Sequence, residues 1–256
     1  MSAVRPVAMT ALRNRVSPEE WQARVELAAC YRLVAHFGWT DQIDTHISAR
    51  VPGTEHFLIN PYGLFFHEIT ASSLLKVDLD GNVLTPSEYP FNAAGFTIHS
   101  AVHGARADVA CVLHTHTGYG MAVSAQAQGL LPLTQHSLVF HGHLAYHDYE
   151  GIALDLGERE RLVADLGPHY AMILRNHGLL TCGRTIPEAF VLMYFLECSC
   201  EAQVKAQSGG AALRLVPEAV ARHTADQVWG SGQPKGSRQW PGFLRLIERD
   251  GADYKE

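Results

Sequence analysis

Val109-Ala110-Cys111-Val112-Leu113-His114-Thr115-His116-Thr117 is an apolar, partly β-branched run that ends in two histidines spaced i, i+2. Side chains of a buried strand alternate between faces, so His114 and His116 project together from one side at its exposed end. A second run, Tyr170-Ala171-Met172-Ile173-Leu174-Arg175-Asn176-His177-Gly178, ends in another histidine. Three neutral imidazoles suit a divalent ion and leave at least one coordination position open. Such a centre can stabilise negative charge on a carbonyl or enediolate oxygen, which carbon–carbon cleavage beside a carbonyl requires. The plainer reading of the pair is two strand-end histidines bonded to backbone. Asn176-His177-Gly178 weighs towards the metal, because glycine lets backbone approach a crowded site closely.

The chain has 256 residues, 47% hydrophobic and 18% charged, which suits one large domain with a sizeable core. A net charge of −6 gives no basic footprint for nucleic acid or anionic lipid. No run reaches membrane-span length, and Met1 to Arg15 has no apolar stretch of the signal-peptide kind. The five cysteines, Cys30, Cys111, Cys182, Cys198 and Cys200, form no CxxC pair and read as free thiols of a soluble cytoplasmic protein. Fifteen histidines are the compositional outlier, and many lie between His99 and His147.

Residues 1–16 read as a flexible leader, 17–207 as one domain, and 208–256 as a partly helical C-terminal extension. Ser17-Pro18-Glu19-Glu20 is a capping box that opens a helix ending at Gly38. His46–Val51 and His56–Asn60 read as strands across a Pro52-Gly53 turn, and Leu75–Leu79 pairs with Val83-Leu84. Asn92 caps a helix over Ala93–Ala105, and Gly118–Ala127 forms another with Met121, Ala122 and Ala125 inward. Glu158–Leu166 follows as an exposed helix. Thr185-Ile186-Pro187-Glu188 is a second capping box, opening a long apolar helix to about Ala206. Hairpins ahead of the first central helix argue for a largely antiparallel sheet.

Cys111–Thr117, Leu174–Leu179 and Asn92–Ala101 together resemble the class II aldolase/adducin family. Ile59-Asn60-Pro61-Tyr62-Gly63 and Ala145–Gly151 point to its adducin-like bacterial branch. The resemblance covers residues 20–206. It implies a three-layer α/β/α sandwich with a mainly antiparallel central sheet. It also implies homo-oligomers, commonly tetramers with sites at subunit interfaces. The family includes sugar-phosphate aldolases such as fuculose-phosphate aldolase, epimerases, dehydratases and decarboxylases. Its metal histidines fall on His114, His116 and His177, which would hold one divalent ion per subunit, zinc first, with iron or manganese as alternatives.

The departures are informative. The aldolases' acid/base glutamate falls on Gly95, and glycine cannot move a proton. Glu88, two helical turns upstream, and His99, one turn after Gly95, are the substitutes to weigh, against a solvated loop acid and a buried structural histidine. The Asn-x-Ser phosphate motif corresponds to His46-Ile47-Ser48, which leaves Ser48 and Arg50. His136 lies near a substrate-side tyrosine of the aldolases, while His141, His143 and His147 could line a cleft or face water. Tyr149 and Glu150 read as structural. Two functions follow as expectations: a metal-dependent lyase on a small, non-phosphorylated carbonyl or carboxylate compound, or a non-catalytic adducin-like assembly domain.

Overall fold

The computed structural model describes residues 12–152 and 157–256. Its strands are β1 (His46–Arg50), β2 (Phe57–Ile59), β3 (Leu75–Val77), β4 (Cys111–Thr115), β5 (Ala145–His147), β6 (Ala171–Leu174) and β7 (Gly178–Gly183). They form a seven-stranded sheet in the order β3-β2-β1-β4-β7-β6-β5, antiparallel throughout except where β5 meets β6. One face carries α1 (Pro18–His36), α3 (Gly118–Ser124), α4 (Gln135–Leu138) and α6 (Ile186–Ser208); α2 (Ala93–Ala105) and α5 (Glu158–Leu166) cover the other. This is the expected three-layer α/β/α sandwich. No helix among the described residues is long and apolar enough to cross a membrane.

Alternation divides the core. Ile47, Ala49, Cys111, Leu113 and Leu179 pack with Leu27, Leu33, Phe190 and Leu196 on the α1/α6 side. Val112, Met172, Leu174, Leu180 and Cys182 pack with Ile98, Val102, Leu162 and Leu166 on the α2/α5 side. Burial on both faces is why β4 reads as a continuous apolar run. His114 follows Val112 by two residues and so lies on the α2 side.

The helix starts depend on their caps. The Ser17 hydroxyl accepts the Glu20 N–H at 3.1 Å, and the Thr185 hydroxyl accepts the Glu188 N–H at 3.2 Å. Neither glutamate reaches back to close its box. Glu20 pairs with the buried Arg24 at 3.0 Å and with Lys76 at 2.7 Å, and Glu188 pairs with Arg184 at 2.7 Å. Helix α3 also differs from expectation. It stops at Ser124, and Gly120, Val123 and Ser124 are buried while Met121 is 43% exposed. Gly120 sets that rotation, since a Cβ there would lie 2.6 Å from Leu179.

Beyond residue 208 the chain adds α7 (Glu218–Trp229) and α8 (Trp240–Ile247), in keeping with a partly helical extension. Trp240 and Tyr254 join the α1/α6-side core, and the Tyr254 carbonyl accepts the Ala71 N–H at 2.8 Å. Most of the expected leader, residues 1–11, lies outside the described residues, as do residues 153–156.

The β6–β7 hairpin reverses through Arg175-Asn176-His177, with Leu174 paired to Gly178. Asn176 takes the left-handed region at φ 56°, which asparagine tolerates better than most residues. Gly178 passes so close to β4 that an added Cβ would lie 2.4 Å from the Thr115 carbonyl oxygen. Gly178→Ala therefore overpacks the β4–β7 seam, and a loss of about 1–3 kcal/mol is expected in denaturant unfolding. An unchanged midpoint would contradict that account.

Candidate metal centre

Three rings meet where β4 ends. The Nε2 atoms of His114 and His116 are 2.9 Å apart, as are those of His116 and His177. The ring centroids lie 4.7, 4.7 and 4.8 Å from one another. His114 and His116 share a face by strand alternation, and the β6–β7 turn brings His177 beside them.

The outer nitrogens fix the inner ones. His114 Nδ1 donates to the Leu179 carbonyl at 2.9 Å. A carbonyl only accepts, so the proton is on Nδ1 and the lone pair on Nε2. His116 Nδ1 faces the Asp41 carboxylate at 2.9 Å, which assigns its tautomer in the same way. Two lone pairs at 2.9 Å repel unless a cation lies between them. A proton on one nitrogen would serve one of these contacts well, whereas a divalent ion serves all three rings. The donor set thus fits a divalent ion, and Asp41 and the Leu179 carbonyl are the outer groups that orient metal-bound imidazoles.

His114 and His177 are kept neutral, the form that ligates. Burial pushes His114 well below the usual imidazole range, helped by His177, His46 and His116 and opposed by the Leu179 bond. Burial, then His116 and His147, lowers His177 to about 4.

The remaining candidates are distributed around this centre. His99 is fully buried, with its Nε2 2.8 Å from His46 Nδ1 and its Nδ1 on the Ser48 hydroxyl. Ser48 Oγ also meets His103 Nε2 at 2.8 Å. Arg50 donates to the carbonyls of His103, Arg106 and Val109. Glu88 is exposed on the loop before α2. His136 stands 5.1 Å from Phe195, by ring centroids, and lines a cleft of 1360 Å³ between α4, α6 and the C-terminal segment, which contains none of the three metal-facing histidines. His141 pairs with Glu218, His143 stacks on Trp229, and His147 is buried against Asp165 at 2.7 Å. Tyr149 is exposed, 6.1 Å from His177 by ring centroids, and Glu150 pairs with Arg161.

Two residues escaped the sequence reading. Asp41 sits in the loop between α1 and β1 with no local pattern to mark it. His46 lies directly opposite His114 in the β1–β4 register, and its ring rests on Gly95. The i, i+2 spacing of His46 and Ser48 was the available signal.

The buried histidines make stability pH-dependent. His46 and His99 are held well below 6.5, chiefly by burial, and burial followed by Arg50 lowers His103 to about 3. Folded values below the unfolded one mean that the unfolded chain takes up more protons once the pH falls below about 6.5. The contribution is complete above that value and declines through the window down to about 4 for His177 and about 3 for His103. Urea midpoints of metal-free protein should therefore be lower at about pH 5 than at about pH 7.5; equal midpoints would contradict neutral burial.

Comparison with known proteins agrees with this architecture. Residues 25–204 match the family described as Class II Aldolase and Adducin N-terminal domain. A crystal structure of an aldolase II superfamily protein from Pseudomonas syringae superposes with a TM-score of 0.91 at 54% identity, covering 96% of this chain and 99% of that one. L-fuculose 1-phosphate aldolase from Glaciozyma antarctica PI12 gives 0.82 at 31% identity, covering 93% of each chain. Alpha-adducin of Rattus norvegicus is 47% identical over 244 residues, which span 89% of this chain and 33% of that protein. The chain belongs to the class II aldolase and adducin N-terminal domain family.

Proposed function

We propose that the chain is a divalent-metal-dependent lyase of the class II aldolase type. Its substrate would be a small, non-phosphorylated carbonyl or carboxylate compound, cleaved by retro-aldol reaction or decarboxylation. The convergence of the His114, His116 and His177 Nε2 atoms carries this reading. When bound there, a divalent ion supplies Lewis acidity for the negative charge that develops next to the breaking carbon–carbon bond. His114, His116 and His177 would hold it, zinc first, with iron or manganese as alternatives. Asp41 and the Leu179 carbonyl hold two of the rings in the ligating tautomer. The ligand set carries no charge of its own, which favours an anionic ligand.

A non-phosphorylated substrate draws support from Ser48 and Arg50. The Ser48 hydroxyl is fully buried and engaged by two histidines, and the Arg50 guanidinium is engaged by three backbone carbonyls. Neither is free for a phosphate. Glu88 and His99 stay as proton-carrier candidates and His136 as a substrate-side one, and we read the protein as a homo-oligomer, a tetramer by family. The free thiols of Cys30, Cys111, Cys182, Cys198 and Cys200 support a reducing cytoplasm.

The second reading is a non-catalytic adducin-like assembly domain. The 47% identity to alpha-adducin favours it, as does glycine at position 95. Metal analysis separates the two. Protein purified without chelators should carry about one equivalent of divalent metal per chain, and His114→Ala or His177→Ala should each reduce that to less than about a tenth. Less than about a tenth of an equivalent in the wild type would sink the lyase reading.

A further inference from the structure

His46 is the buried polar group beside the metal centre that the ligand set does not use. It is 3% exposed. On β1 it pairs directly with His114 on β4, and the two rings lie 5.0 Å apart by centroids, tilted by 33°. The His46 ring also lies against α2 at Gly95. A Cβ built on Gly95 would come within 2.4 Å of His46 Cδ2 and 2.7 Å of its Nε2. Real Cβ atoms do not approach so closely, so the room beside position 95 belongs to this imidazole. Carboxylate and histidine cannot both occupy it.

The ring is also held from behind. His46 Nδ1 is 2.8 Å from His99 Nε2, His99 Nδ1 meets Ser48 Oγ, and Ser48 Oγ is 2.8 Å from His103 Nε2. A neutral imidazole gives one proton and accepts one, and the serine hydroxyl does the same. Two proton arrangements therefore make all three bonds with the serine proton used: every proton directed toward the centre, or every proton directed away. Nδ1 and Nε2 lie on opposite sides of the ring, so with Nδ1 turned to His99 the Nε2 is turned away from it. Among the described residues Nε2 has no hydrogen-bond partner of its own. An anionic oxygen only accepts, and its presence selects the arrangement in which His46 Nε2 carries the proton.

We propose that His46 is the fourth polar group of the centre, donating a hydrogen bond from Nε2 to a carboxylate or carbonyl oxygen of the small-molecule ligand. Gly95 leaves it the room to do so, and His99, Ser48 and His103 are positioning residues that fix its orientation and tautomer. This rests on the metal-centre reading and assigns that centre a ligand class: small carboxylates, met by a neutral donor where a carboxylate side chain would repel them.

The test uses full-length protein loaded with cobalt(II), with oxalate as the probe. Cobalt content reports the ligand set, and the change in visible absorption on titration reports oxalate affinity. His46→Phe should keep wild-type cobalt stoichiometry and weaken oxalate by about tenfold or more, since it removes a bond to a charged acceptor. His46→Gln, which restores an N–H, should recover part of the loss, and His99→Gln should weaken oxalate in the same direction by less. Gly95→Ala, which displaces the ring without touching its chemistry, should match His46→Phe, and it provides the reading if His46→Phe does not fold by circular dichroism. The two should not add when combined. Oxalate affinity within about twofold of wild type in cobalt-loaded His46→Phe and Gly95→Ala would overturn the proposal, as would loss of cobalt from either folded variant. A wild type that takes up no cobalt would overturn the metal-centre reading itself, a result distinct from either of these.

Discussion

Repulsion between lone pairs is the constraint around which the centre is arranged. Imidazole nitrogens 2.9 Å apart, with their protons committed to a backbone carbonyl and a carboxylate on the far side, need a positive charge between them. Left without one, a buried site of this kind would relax by turning a ring or admitting a proton. Here the rings are not free to turn. Leu179 holds one from the neighbouring strand, Asp41 holds another from a loop, and the His177 turn is pressed against β4 through Gly178. The surrounding fold resists relaxation, and that resistance is what preorganises a site for binding.

The sheet contributes more than a platform. Antiparallel pairing of β4 with both β1 and β7 places His46 and Leu180 on either side of His114, on the face beneath α2. Helix α2 then meets this face with Gly95, His99 and His103, spaced four residues apart along one side of the helix. Strand period and helix period thus bring four histidines, His114, His46, His99 and His103, and Ser48 into one polar seam inside an otherwise apolar layer. Such a seam is tolerable because most of its nitrogens have a partner, His46 Nε2 and His103 Nδ1 being the exceptions among the described residues.

Much of this could be read from the sequence, and what could not has a definable cause. The His114–His116 pairing depends on strand alternation alone, a local rule, and Ala171–Leu174 and the long helix after Thr185 are equally local. His177 needed the hairpin as well as the strand. Asp41 reaches His116 across 75 residues of chain from an irregular loop, where no periodicity operates. His46 required the β1–β4 register, which depends on how the whole sheet assembles. The inward face of α3 was misjudged because apolar character favoured Met121, whereas close contact of Gly120 with Leu179 determined the rotation. The capping boxes kept their serine and threonine halves and lost their glutamate halves to Arg24, Lys76 and Arg184. The i, i+4 pairs with Arg24 and Arg184 and the long-range pair with Lys76 outcompete the backbone bond of the box.

The contact between His46 and Gly95 also bears on inheritance. Position 95 cannot acquire a side chain while the His46 ring stays as it is, so the two are sterically coupled although they lie 49 positions apart in the chain. Within this family, the residue at position 46 should therefore indicate whether a given member offers its ligand a carboxylate or an imidazole, even where all the metal-facing histidines are the same.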